Sequence, residues 1–222
     1  MVYNLTVLKA VAFMKMKEYV EEIEKRFYSE YGDAGCTLDH KNALELFIGA
    51  QLATQCTDAR VNIVMKELTK KYKSCLDYAN ADLNELMDEI RSTGFFRNKA
   101  KNIIESCKII SEKFGGEIPS DMESLTSLPG VGRKIANLIR GDVFGIPGVV
   151  VDTHCIRLSQ RLGLTKQTEQ TKIEADLLKK IPKEYQTLFC HQIVEHGRKY
   201  CTARSPKCDV CCIGDICRKK IS

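Results

Sequence analysis

Two single residues and one cysteine cluster in this 222-residue chain carry chemistry in their types and spacing. The first residue is Lys134, at the end of Leu128-Pro129-Gly130-Val131-Gly132-Arg133-Lys134. A lysine in the first turn of a helix opposes the positive end of the macrodipole, so it does little for the helix itself. The same position, with partial burial, favours the neutral amine, and a neutral amine is a nucleophile. The plainer reading is a phosphate-binding lysine. Two glycines one residue apart allow close approach by another molecule, and the amides that open the next helix can seat an anion. The second residue is Asp152, before Thr153-His154. It is placed to cap a helix, a role worth about 1 kcal/mol. A capping carboxylate stays ionised, so it can also stabilise positive charge growing on a sugar or shuttle protons for an amine. His154 is either a satisfied structural histidine or part of a pocket.

The cluster is Cys201, Cys208, Cys211 and Cys217, spaced C-x6-C-x2-C-x5-C. Four thiolates this close can wrap one metal centre and order a segment too short to have a core. Pro206 and Gly214 supply turns. Spacing alone leaves zinc and an iron–sulfur cluster equally open, and Cys212 could replace Cys211. The remaining cysteines lie on apolar faces, where buried bystanders are the default. Residues 196–222 also carry the whole formal excess of +5, with Arg198, Lys199, Arg204, Lys207, Arg218, Lys219 and Lys220 against Asp209 and Asp215. A solvated basic tail is the plainer reading. A rigid cationic loop, though, suits phosphates, because less ordering entropy is lost on binding.

These residues need a scaffold, and the pattern predicts a helical one. Composition is that of an ordinary globular protein, 44% apolar and 28% charged. Lys9 interrupts the apolar start and no cleavage site follows it, so no secretory signal is predicted. No apolar run approaches the ~18 residues of a membrane span. Eleven cysteines without a signal point to a reducing, intracellular compartment, cytoplasm or nucleoid, and to metal binding over disulfides. Periodicity and caps predict helices over Lys15–Tyr31, Ala43–Ala53 and from Thr57 or Asp58 to Tyr72. Others open at Asp82, at Lys99 with Asn98 as cap, and in the box Ser120–Glu123. Arg133–Phe144, Thr153–Leu162, Glu169–Lys180 and Glu184–Arg198 complete the set. The expected fold is all-α, two helical lobes with an interlobe cleft. Residues 36–147 form a barrel-like lobe with a helix-hairpin-helix motif. Residues 14–35 with 148–222 form the second lobe, ending in the cysteine loop 201–217, and residues 1–13 are an extension of unknown role. Gln55, at the end of a buried helix, is either a core hydrogen bonder or a filler for the gap left by a displaced base. Phe95 is either core, the favoured reading, or an exposed wedge.

Taken together, these motifs resemble the endonuclease III family of the helix-hairpin-helix DNA glycosylase superfamily. The matching stretches are Leu128–Lys134, Val151–His154, Gln55–Asp58, His196–Arg198 and the cysteine spacing, in the same order and separation, over residues 16–220. The resemblance implies a bifunctional DNA glycosylase/AP lyase of base excision repair. Such an enzyme removes oxidised or damaged pyrimidines from duplex DNA and nicks 3′ to the abasic site by β-elimination. It implies that Lys134 attacks C1′ and forms a Schiff base, assisted by Asp152. Gln55 would enter the helix vacated by the flipped base, and Phe95 would wedge the opposite strand. Gly130, Val131, Gly132 and Arg133 would hold phosphates, with His154 also at the DNA. Cys201, Cys208, Cys211 and Cys217 resemble the ligands of a [4Fe–4S] cluster, leaving Cys212 a bystander. The implied partner is double-stranded DNA with damaged bases or abasic sites, bound by a monomer with no membrane involved. One departure is Gln51-Leu52-Ala53-Thr54, where family members often have smaller aliphatic and serine-alanine residues; it leaves the base preference open. The rival readings are a monofunctional mismatch-specific glycosylase of the same fold, a non-catalytic redox-sensing DNA-binding protein and a zinc-binding structural module. Lys134 speaks against the first, whose members carry residues there that cannot form an imine.

Overall fold

A computed structural model describes residues 14–218. The extension assigned to residues 1–13, and Lys219 and Lys220 of the basic tail, lie outside the described residues. Among those described there are eleven α-helices and no strand. They are α1 (Met16–Tyr31), α2 (Ala43–Leu52), α3 (Asp58–Lys71), α4 (Cys75–Ala79), α5 (Leu83–Glu89), α6 (Phe96–Lys113), α7 (Met122–Ser127), α8 (Arg133–Asp142), α9 (Thr153–Arg161), α10 (Gln170–Lys180) and α11 (Gln186–Lys199). Short 3₁₀ turns stand at Arg91–Thr93, Lys183–Tyr185 and Cys208–Val210.

The helices start where a short polar side chain can take an orphan amide. Asn42, Thr57, Asp82, Asp121 and Asp152 each accept from the N–H three residues on. Of the two candidates for α3, Thr57 is the cap. The box predicted at Ser120–Glu123 resolves to Asp121 accepting from Ser124 N–H at 2.8 Å. Helix α4 escapes periodicity because it has only five residues; it is held by a capping box between Ser74 and Asp77. Helix α6 begins at Phe96, ahead of the predicted Asn98 cap, because Phe95 takes a left-handed backbone and turns the chain early.

The chain divides into two compact units, one from Cys36–Ile146 and one from Met1–Gly35 with Pro147–Ser222. The first contains α2 to α8. At its centre is α2, whose residues from Leu46 to Leu52 are all buried. Against it lie Val61, Met65 and Leu68 of α3, Ile103 and Ile110 of α6, and Ile135 and Ile139 of α8. Each such side chain stabilises the fold by roughly 1.5–3 kcal/mol. The second unit has its own core, with Tyr19, Val20, Ile23 and Phe27 of α1 packed among Leu158 of α9, Leu177 of α10 and Phe189 and Ile193 of α11. Ile213 and Ile216 join it from the cysteine loop.

Candidate functional site

In the first unit, α7 ends at Leu128 and the chain turns into α8. The turn closes when Val131 N–H donates to the Leu128 carbonyl at 3.1 Å. Gly130 sits at φ 76°, and a Cβ there would stand 2.8 Å from Asn102 Nδ2 and 3.0 Å from Gln51 Oε1. The fold therefore demands glycine at 130, through backbone and through space. Ser106 Oγ donates to the Pro129 carbonyl at 2.8 Å and pins the turn. Gly132 is different. Its φ of −97° suits any residue, and a Cβ there would meet nothing within 4 Å. Nothing among the described residues asks for glycine at 132, so the position stays bare toward whatever binds.

Helix α8 has no side-chain cap, and its first internal bond runs from Ala136 N–H to the Gly132 carbonyl at 3.0 Å. Its earliest amides thus lie at an open, positive helix end. Arg133 and Lys134 are exposed beside them. The partial burial proposed for Lys134 is not supplied by the protein. The Val131 side chain is buried and its N–H is taken by the Leu128 carbonyl, so it anchors the turn.

Gln55 and Phe95 are the only non-glycine residues with positive φ among the described residues, at 54° and 49°. That backbone costs a side-chain-bearing residue roughly 1–2 kcal/mol. Such strain gathers where a chain must present a group outward. Both side chains are exposed, Phe95 by 62%, which overturns its favoured reading as core.

In the second unit, Asp152 caps α9, its Oδ1 accepting from Cys155 N–H at 2.7 Å. His154 lies one turn in, half-buried. Its Nδ1 stands 3.1 Å from Arg157 Nη2. A Cβ on Gly197 would come within 2.4 Å of the same nitrogen, so Gly197 makes room for the ring. Burial lowers the His154 pKa, Asp152 opposes that, and Arg157 and Arg198 add to it. His154 is thus packed against Gly197 and Arg157 inside this unit.

Cys201, Cys208, Cys211 and Cys217 line one small hollow floored by Leu158 and Leu162; Cys212 is not among its walls. Gly214 lets the loop close, since a Cβ there would stand 2.5 Å from the Cys208 carbonyl. Arg161 donates to the Thr202 carbonyl at 2.8 Å and the Ala203 carbonyl at 2.9 Å, with Cys201 Sγ at 3.4 Å. Arg157 Nε donates to the Cys201 carbonyl at 3.2 Å. Buried His196 places Nε2 3.5 Å from Cys211 Sγ, while its Nδ1 is 2.7 Å from the Tyr31 hydroxyl. Arg204 and Lys207 remain exposed on the loop.

The family described as HhH-GPD superfamily base excision DNA repair protein matches residues 48–183, and the iron-sulfur binding domain of endonuclease III matches residues 201–217. Endonuclease III of Synechocystis sp. is 48% identical over 188 residues, covering 84% of this chain and 86% of that protein. The chain belongs to the endonuclease III family. The family's protein from Bacillus subtilis is 44% identical over 187 residues, 84% of this chain and 85% of its own. A trapped endonuclease III–DNA covalent intermediate superposes with a TM-score of 0.87 at 41% identity, over 93% of this chain and 98% of that one. Membership also decides the cofactor that spacing left open. It is a [4Fe–4S] cluster, and four thiols around one apolar-floored hollow fit it.

The sequence missed Arg157 and Arg161. Two arginines one turn apart on α9, each facing the cysteine segment, were the available signal.

Proposed function

We propose that this endonuclease III family member is a bifunctional DNA glycosylase and AP lyase of base excision repair, taking damaged pyrimidines out of duplex DNA. The observation that carries the reading is the start of α8, where a bare Gly132 and an uncapped helix end adjoin an exposed Lys134. That end seats a phosphate and offers an amine beside it. The work divides between a lobe at 36–147, with the hairpin, and one at 14–35 with 148–222, with Asp152 and the cysteine loop.

Lys134 Nζ attacks C1′ of the damaged nucleotide. The C1′–N bond breaks and its electron pair leaves with the base. Asp152 stabilises the positive charge that grows on the sugar and relays the proton lost by the amine. A proton delivered to O4′ then opens the sugar ring at the C1′–O4′ bond and leaves C1′ as the imine with Lys134. The imine makes a C2′ proton acidic, and its loss breaks the C3′–O bond, expels the 3′ phosphate and nicks the strand. Gln55 fills the gap left by the flipped nucleotide and Phe95 wedges the opposite strand, each held outward by its strained backbone. Gly130, Gly132 and Arg133 meet the phosphates. Cys201, Cys208, Cys211 and Cys217 hold the [4Fe–4S] cluster, which when bound orders a cationic loop against DNA. The enzyme acts as a monomer inside the cell; no described helix is long and apolar enough to cross a membrane.

The test is a nicking assay on duplexes carrying oxidised pyrimidines or an abasic site, with and without borohydride. Wild type should give a covalent adduct and Lys134→Ala none. An absent wild-type adduct, or equal trapping by Lys134→Ala, sinks the mechanism.

A further inference from the structure

Lys99 stands inside the Cys36–Ile146 unit with 6% of its surface exposed. Its ammonium donates to two main-chain carbonyls, Leu52 at 2.8 Å and Thr93 at 2.7 Å. A cation in an interior is expensive, and carbonyl dipoles compensate it less well than a carboxylate does. The sequence offers no folding reason for it, since the first turn of α6 is the wrong end of a helix for a lysine. An apolar residue would fill that space at lower cost.

What the two carbonyls belong to explains the expense. Leu52 is the last residue of α2, three before Gln55; Thr93 closes the 3₁₀ turn two before Phe95. At Leu52 the ammonium meets the negative end of α2, where a cation is favoured. The Phe95 carbonyl itself takes the first amides of α6, those of Asn98 and Lys99, at 3.1 Å each. One side chain thus grips the approach to Gln55 and the approach to Phe95. Those are the two strained, exposed side chains of this unit. A left-handed residue other than glycine persists only where its surroundings over-determine it. Two bonds from one buried side chain, added to the helix start that follows Phe95, do that.

We propose that Lys99 is a positioning residue that ties the Gln55 turn to the Phe95 turn, so that the two side chains enter opposite strands of a duplex as one rigid pair. The proposal rests on the reading of Gln55 and Phe95 as inserting residues.

The experiment compares borohydride trapping on duplex abasic DNA with trapping on single-stranded abasic DNA, which needs no opened duplex. Lys99→Met, cluster-loaded, is measured beside Gln55→Ala, Phe95→Ala and the double variant Lys99→Met/Phe95→Ala. The duplex-to-single-strand ratio should fall by about tenfold in Lys99→Met, or 1.4 kcal/mol. The double variant should lose less than the product of the two single losses, because a wedge already removed has nothing left to position. An equal fall on both substrates marks Lys99 as structural only and overturns the proposal; so does an unchanged ratio. If Gln55→Ala and Phe95→Ala lower the ratio while Lys99→Met does not, the brace fails and the wedge reading stands. If neither alanine variant lowers it, the wedge reading fails and takes the proposal with it. Should Lys99→Met not fold, Lys99→Leu, which also removes the donor, carries the same comparison.

Discussion

The hairpin at 128–134 and the cysteine loop at 201–217 both hold a short stretch of backbone in an irregular shape, and they do it by opposite means. The hairpin draws its shape from the fold behind it. Val131 is sunk in the core, Ser106 pins the Pro129 carbonyl, and the space over Gly130 is filled by Asn102 and Gln51. Its outer face is left bare. The cysteine loop buries Ile213 and Ile216 in a core, with Cys201, Cys211, Cys212 and Cys217 partly buried against it. Arg157 and Arg161 hold its carbonyls from outside, and its four thiols converge on a hollow that a cluster fits. The hairpin takes its shape from the packing behind it, whereas the loop is arranged around the site of its cofactor.

The largest expected effect follows from removing that cofactor. Chelation of the cluster, or Cys208→Ala, should abolish the visible absorbance expected of an iron–sulfur cluster. It should also take several kcal/mol of local opening free energy from residues 201–217. Hydrogen exchange reads this at the Gly214 and Cys217 amides, which bond within the loop at 2.9 and 2.8 Å. The Val131 and Ala136 amides of the hairpin should keep their protection. Comparable losses at both places would end the contrast.

The next effect lies within the hairpin. Gly130→Ala should cost about 2–4 kcal/mol, from the left-handed backbone and the contact with Asn102 together. Gly132→Ala should change stability by less than about 0.5 kcal/mol, as at an open surface position. It should instead weaken binding to abasic duplex about tenfold, near 1.4 kcal/mol. Denaturant titration and equilibrium binding separate the two. If the alanines behave alike in either measurement, the distinction between a glycine for the fold and a glycine for the ligand is wrong.

Much of this could be read along the chain because it is local. Caps such as Asp82 and Asp152 act over three residues, and the cysteine spacing is a property of seventeen consecutive positions. The parts that escaped depend on contacts far apart in sequence. Nothing local marks Phe95 as left-handed, since phenylalanine has no preference for that backbone. Lys99 reads as one more helical lysine until Leu52, 47 residues away, is placed against it. Val131 looked like part of an outward-facing turn because alternation between two glycines gives no face. The fit of His154 against Gly197 and Arg157, 43 and 3 residues away, has no signal in the sequence around it.

The smallest effect tests whether the hairpin's support is complete within the protein. Gln51 is 3% exposed, yet neither end of its amide has a hydrogen-bonding partner among the described residues. A buried amide without partners is a liability of about 1–3 kcal/mol, and an apolar side chain of similar size removes it. Gln51→Leu should therefore raise stability by about 1 kcal/mol, read as a shift in the denaturation midpoint at unchanged slope. Affinity for abasic duplex should stay as it was, because Val131 and Ser106 still hold the turn. A loss of stability would mean that the amide is partnered in solution and that the hairpin leans on something beyond the protein. In that case the hairpin would resemble the cysteine loop more closely than its packing suggests.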